Sequence, residues 1–173
     1  MINRKYWLED LIKNNNYKIG VELGVLRGPT FKHLVTSCRN YKHIGIDAFS
    51  DDRIWRKEKG INTTEELLKE PIVPWFKPLK EFADKNGAVL IRDLTAEAAK
   101  QFDDKSIDYV FIDAGHHYEA VLEDIKSWAP KVRSGGIVAG HDINLPDVQK
   151  AVSKVYGNIF SVGPDNIWYV KKL

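Results

Sequence analysis

The sequence contains a single cysteine, Cys38, so no intrachain disulfide can form. That suits a reducing compartment, and a cytoplasmic location is expected. Cys38 falls late in an amphipathic helix and reads as a small core residue rather than a nucleophile. No apolar run approaches the roughly 18 residues that a membrane-spanning helix requires, and Met1 to Asp10 lacks the pattern of a signal peptide. Charge is nearly balanced, with 26 basic and 24 acidic residues and a net of +2. Short basic clusters such as Arg53 to Lys59 are interrupted by acid, and no basic stripe interleaved with aromatics marks a nucleic-acid surface. Neither nucleic acid nor a membrane is expected as a partner. Internal repeats and low-complexity stretches are also missing. What remains is an ordinary globular composition, 43% hydrophobic and 29% charged, on a length that fits one domain over residues 1–173.

Strand and helix signals alternate along the chain. Trp7, Leu8, Leu11 and Ile12 mark a leading helix over Asn3 to Asn14. Lys18 to Leu23 reads as a strand and Gly24 to Gly28 as a turn. Pro29, suited to a first helical position, opens a helix to about Cys38. Further strands are expected at His43 to Asp47, Ala88 to Arg92, Ile107 to Ala114 and Ile137 to Gly140, with Gly135-Gly136 as the turn into the last. The strand at Ile107 is almost continuously apolar, as in a parallel sheet covered on both faces. Tyr118, Val121, Leu122, Ile125 and Trp128 form a helical stripe, and another helix runs from about Pro146 to Tyr156. Two short strands, around Phe160 and at Trp168 to Val170, close the chain as a hairpin across Gly163-Pro164-Asp165-Asn166. The expected fold class is α/β: a mostly parallel seven-stranded sheet with a C-terminal antiparallel hairpin and helices on both faces.

Phe49 to Lys85 is too long for a simple crossover. It holds Trp55, a polar helix over Thr63 to Glu70, then Pro71, Pro74 and Pro78. An insertion of this kind, about 49–80, reads as a lid. Trp55, Trp75 and Phe76 would either stack on a ligand or pack the lid itself.

Nearly every strand ends in a carboxylate: Glu22, Asp47, Asp93 after Arg92, Asp113, and Asp142 after His141. Core packing does not require this, whereas open parallel sheets bind ligands outside the carboxyl ends of their strands. Val21-Glu22-Leu23-Gly24-Val25-Leu26-Arg27-Gly28 lies between a strand and a helix, the context of a nucleotide site. A dinucleotide fingerprint needs a second glycine where Leu26 stands, to let the backbone approach a pyrophosphate. Glu22 would repel phosphates and attract a cation. Both features favour a cationic, phosphate-free adenosine cofactor. Asp47, 23 residues after Gly24, has the spacing of an acid that binds ribose hydroxyls.

Three stretches resemble the class I S-adenosylmethionine-dependent methyltransferases, and within them the small bacterial and phage family that includes antibiotic-sugar O-methyltransferases. They are the stretch just quoted, Phe111-Ile112-Asp113-Ala114-Gly115-His116-His117-Tyr118-Glu119-Ala120-Val121, and Gly135-Gly136-Ile137-Val138-Ala139-Gly140-His141-Asp142. The resemblance spans roughly Ile19 to Ile143 and implies a Rossmann-like methyltransferase fold. It places Glu22, Gly24, Gly28 and Thr30 around the methionine part of the cofactor, Asp47 and Ala48 at the ribose, and Asp93 and Leu94 at the adenine. Asp113 would face the transferred methyl, with His116 and Tyr118 beside the acceptor. Some relatives bind a divalent cation that lowers the pKa of an acceptor hydroxyl. Here Asp113 matches the first ligand position and Asp142 one of an acidic pair, while His141 stands where an acid often stands and Ile143 cannot ligate; Asp113, His141 and Asp142 remain the candidate ligands. A softer metal or a metal-free base is equally open.

Methyl transfer asks the protein mainly to align the acceptor, and a base removes its proton. The candidates are Asp113, His116 and His141; His117, at a helix start, and His33 and His43 read as structural. The expected activity is O-methylation of a small hydroxylated acceptor, with a homodimer compatible with the sequence. Two other readings compete: a non-catalytic cofactor-binding or interaction module, and a nicotinamide-dependent oxidoreductase, which Leu26 disfavours.

Overall fold

The computed structural model describes residues 3–39, 41–50 and 63–173. Trp55 and the basic cluster from Arg53 to Lys59 lie outside the described residues. The elements in chain order are α1 (Arg4–Asn14), β1 (Ile19–Leu23), α2 (Pro29–Ser37), β2 (Lys42–Asp47), α3 (Thr64–Leu68), α4 (Phe76–Lys85), β3 (Val89–Arg92), α5 (Thr95–Ala98), β4 (Ile107–Ile112), α6 (Tyr118–Trp128), β5 (Val132–Gly140), α7 (Pro146–Tyr156), β6 (Ser161–Val162) and β7 (Trp168–Lys171). Short 3-10 turns follow α5 and α6. Among the described residues no helix is long and apolar enough to cross a membrane.

The sheet runs β3-β2-β1-β4-β5-β7-β6. The first five strands are parallel, β7 is antiparallel to β5, and β6 is antiparallel to β7. The α/β architecture expected from the sequence, seven strands with a closing antiparallel pair, is therefore the one observed. Strand order reverses between β1 and β4, and ligands bind above such a switch point.

β4 explains how the sheet is covered. Its apolar residues alternate between two cores: Val110 and Ile112 pack with α6 and α7 through Val121, Ile125 and Val148. Tyr109 and Phe111 pack on the other face with Leu8, Ile12 and Leu34. Leu8 and Ile12 are one helical turn apart on α1, whose first turn is capped by the Asn3 side chain accepting from Lys5 N at 3.2 Å. Cys38 is buried in that second core, as its helical position suggested.

Two expectations need correction. Gly135-Gly136 is not a turn before β5 but an irregularity inside it: the strand begins at Val132, and its register against β4 shifts between Ile107 and Tyr109. A Cβ on Gly136 would lie 2.3 Å from the carbonyl oxygen of Asp108, so the close strand approach itself requires glycine. Second, the end of the long β2–β3 connection is a regular crossover helix, α4. Leu79 and Ala83 are buried with Leu90 of β3. Pro78 sits in the first turn of α4, where its missing N–H removes no helical bond. The helix expected at Thr63 to Glu70 is shorter, Thr64–Leu68, and opens with a reciprocal cap in which Glu66 N donates to Thr63 Oγ1 and Thr63 N to Glu66 Oε2.

Candidate active site

A cleft of about 790 Å³ opens at the carboxyl ends of β1, β2, β4 and β5. Glu22, Gly24, Thr30, Asp47, Ala48, Leu94, Asp113, His116, His141 and Asp142, all expected from the sequence, contribute to its wall. Asp93 and Gly28 do not. The Asp93 carboxylate is buried and accepts from Leu94 N and Gln101 Nε2. Gly28 caps α2 in the left-handed region at φ 79° and packs on Leu79. His117, read as structural, lines the cleft beside His116.

Gly24 is fixed by sterics. Its φ is +82°, and an added Cβ would lie 2.1 Å from the carbonyl oxygen of Asp113. The β1–α2 turn can reach the end of β4 only with hydrogen at that position. Glu22, the penultimate residue of β1 in the same wall, is buried and lies 2.9 Å from His43 Nε2. Burial raises its pKa, and His43 works in the opposite direction. The Nδ1 of His43 is 2.9 Å from the Tyr41 hydroxyl, which donates to the Tyr109 hydroxyl at 2.6 Å. His43 is thus structural, as expected, and what it structures is the Glu22 carboxylate.

Asp47 does more than the spacing argument gave it. Its Oδ2 accepts from Val25 N and Leu26 N at 2.8 Å each, and its Oδ1 accepts from Phe49 N at 2.7 Å. This holds Leu26 at φ 51° with its side chain half exposed, a conformation that costs a leucine roughly 1–2 kcal/mol. Trp75 joins the same rim, with the Arg27 guanidinium 5.4 Å from its ring centroid. Phe76 instead packs on Phe49, with ring centroids 4.8 Å apart.

The far end of the cleft is a chain of charged and titratable groups. His141 Nδ1 lies 2.8 Å from Asp142 Oδ1 and 3.7 Å from Asp113 Oδ1. Asp142 Oδ2 is 2.9 Å from His116 Nε2. Burial pushes Asp113 up to about 7, against the pull of Arg4 and His141. Asp113, His141 and Asp142 offer ligand atoms within 4.8 Å of one another.

Arg4, which the sequence reading did not single out, completes this end. Its Nη1 lies 3.4 Å from Asp113 Oδ2 and 3.1 Å from His141 Nδ1. Its backbone N–H donates to Asp165 Oδ2 at 2.9 Å. One signal was available: a cation in the first turn of a helix opposes the helix dipole, which carries positive charge at that end. A guanidinium and a divalent ion about 4 Å apart repel by roughly 8 kcal/mol at an effective dielectric of about 20. Arg4 in this position therefore sets a positive charge against any divalent ion at the three candidate ligands, opposing the attraction of the Asp113 and Asp142 carboxylates.

Comparison with known proteins agrees with this architecture. A family model described as "Methyltransferase domain" matches residues 21–143. A Sinorhizobium fredii protein, y4gI, is 27% identical over 75 residues, covering 43% of this chain, and the match spans only 8% of that protein's length. Among solved structures, the calicheamicin methyltransferase CalS11 superposes with a TM-score of 0.67 at 16% identity, over 95% of this chain and 77% of that one. An O-methyltransferase from Bacillus cereus in complex with SAH gives 0.63 at 16% identity, over 99% and 83%. The O-methyltransferase NovP gives 0.66 at 14% identity, over 97% and 77%. At these identities the structures speak to fold. With the family match covering most of the chain, from the middle of β1 to the residue after Asp142, the chain belongs to the methyltransferase-domain family.

Proposed function

We propose that the protein is an S-adenosylmethionine-dependent methyltransferase acting on an oxygen of a small hydroxylated acceptor. The observation that carries this reading is the convergence, at the β1/β4 switch point, of a buried carboxylate, a glycine turn packed against the carbonyl of Asp113, and a cluster of carboxylates and imidazoles. Structural neighbours include O-methyltransferases, among them a TDP-rhamnose 3'-O-methyltransferase, CalS11.

In this reading Glu22, Gly24 and Thr30 hold the methionine end, Asp47 and Ala48 the ribose, and Leu94 the adenine. Bound there, S-adenosylmethionine supplies a methyl group already activated by a sulfonium. Glu22 offers a desolvated carboxylate to the ammonium, kept in place by His43. Leu26 and Trp75 flank the rim, and the described parts of the stretch 49–80 add Phe49 and Val73 to the wall. Asp113 and His141 accept the acceptor's proton, and Asp142 keeps His141 oriented while tying it to His116. Positioning of this kind is worth several kcal/mol of the barrier.

The test is methyl transfer from labelled S-adenosylmethionine to a panel of small hydroxylated acceptors. Turnover should fall at least tenfold in both Asp113→Asn and His141→Ala. Full turnover in both variants on an identified acceptor would end the proposal. Cofactor binding without transfer to any acceptor would favour the non-catalytic module.

A further inference from the structure

The reacting end of the cleft contains a cation that belongs to the chain. Arg4 is brought to His141 from 137 residues away in sequence. Its backbone is pinned twice over: Asp165 on the β6–β7 loop accepts its N–H, and the helix behind it is anchored by Leu8 and Ile12 in the second core and by Trp7 against Tyr169, ring centroids 5.3 Å apart. The Arg4 side chain is 30% exposed and lines the cleft. Only Nη1 has contacts among those that tie it to Asp113 and His141, and an arginine carries five N–H donors in a fixed fork.

We propose that Arg4 is the resident cation of the acceptor site: it takes the place beside Asp113 and His141 that a divalent metal would need, and it donates to the acceptor oxygen as that oxygen loses its proton. The proposal rests on the methyl-transfer reading for the identity of the acceptor, but not for the exclusion of metal. In the step it describes, the acceptor proton passes to Asp113 or His141. The oxygen forms a bond to the methyl carbon while the carbon–sulfur bond breaks and its electron pair stays with sulfur, leaving a neutral thioether. Guanidinium donors stabilise the negative charge left on that oxygen and so ease its deprotonation, which precedes the transfer, without any metal. The acceptor class that fits is one whose oxygen is acidic enough to be carried as an anion beside a guanidinium, such as a phenol or an enol, in preference to a simple alcohol.

The decisive probe is Mn²⁺ alone, titrated into the full chain and followed by electron paramagnetic resonance. Wild type should show no saturable site at up to millimolar Mn²⁺. Arg4→Ala, which vacates the position but leaves Asp113, His141 and Asp142, should gain one site and bind at least tenfold more tightly than wild type. Arg4→Lys should stay close to wild type, because the ammonium keeps the charge. A gain of binding cannot come from a variant that fails to fold. The proposal is overturned if wild type and Arg4→Ala bind Mn²⁺ alike, if wild type binds more tightly, or if neither binds. In parallel, S-adenosylhomocysteine titrated into wild type tests the methyl-transfer reading by itself. Its failure to bind would sink that reading, and with it donation to the acceptor oxygen, and leave the Mn²⁺ result to decide whether Arg4 excludes a metal.

Discussion

Replacing Asp113 by asparagine should make the protein more stable while removing activity, and the gain should appear only above acidic pH. Asp113 is 14% exposed at its side chain, and burial raises its pKa from 3.8 to about 7 despite Arg4 and His141. The folded state thus holds this proton more tightly than the unfolded state. Its contribution to stability is fully present below about pH 4, where both states are protonated, and is lost as pH rises through about 7. Above that, each folded molecule carries an ionised, poorly solvated carboxylate. A shift of about three units corresponds to roughly 4 kcal/mol; exchange of the Arg4 contact for a neutral amide should reduce the realised gain to roughly 1–3 kcal/mol. The assay is urea unfolding of wild type and Asp113→Asn at several pH values. The two curves should lie close together near pH 4 and diverge to that extent at pH 8, with the variant the more stable. A variant less stable than wild type at pH 8, or a difference that does not change with pH, would refute the reasoning.

Other outcomes follow from the same geometry. Gly24→Ala should cost about 3 kcal/mol or more by thermal or urea unfolding, because a left-handed φ and a backbone clash with Asp113 coincide there. Leu26→Gly should gain roughly 0.5–1 kcal/mol by relieving an exposed left-handed leucine, while weakening cofactor binding in calorimetry if the side chain forms the rim. His43→Ala should weaken S-adenosylhomocysteine binding with little change in the overall circular dichroism, since it leaves the buried Glu22 carboxylate without its partner. Asp108 gives the opposite pH dependence to Asp113. Burial raises its pKa, but N–H groups of Ile19 and Lys18 and the Arg133 guanidinium outweigh this and leave it lowered. Its stabilisation is present above about pH 4 and is lost as pH falls through its folded value. Asp108→Ala should therefore cost about 2–4 kcal/mol at pH 7, a cost that shrinks as pH falls below about 4, measured by denaturant unfolding.

How much could be read beforehand depended on where each constraint resides. The strands were legible because β1, β2 and β4 bury both faces, which imposes apolar runs ended by polar residues. The wall residues Glu22, Asp113 and Asp142 were legible for the same reason, since a carboxylate at the end of a buried strand has no core role. The helix α4 was obscured by three prolines around it, although Leu79 and Ala83 keep helical spacing. The glycines at 135 and 136 look like a turn in sequence. Only the register shift against β4 shows why one of them must lack a side chain. Asp47 was assigned one ligand contact, but its three backbone bonds depend on where Val25, Leu26 and Phe49 fall in space. Arg4 could be flagged only as a cation placed against the dipole of α1; its partners Asp113 and His141 come from the ends of β4 and β5, and nothing local to α1 predicts them.

The central claim is that the cleft above β1 and β4 holds S-adenosylmethionine through Glu22 and not a phosphate-bearing cofactor. Titration calorimetry with S-adenosylhomocysteine tests it most directly. The account predicts one site per chain with micromolar affinity, weakened at least tenfold in Glu22→Gln, and no saturable heat from reduced nicotinamide dinucleotide. No binding of S-adenosylhomocysteine to the wild-type chain, or tight binding of the dinucleotide in its place, would contradict it.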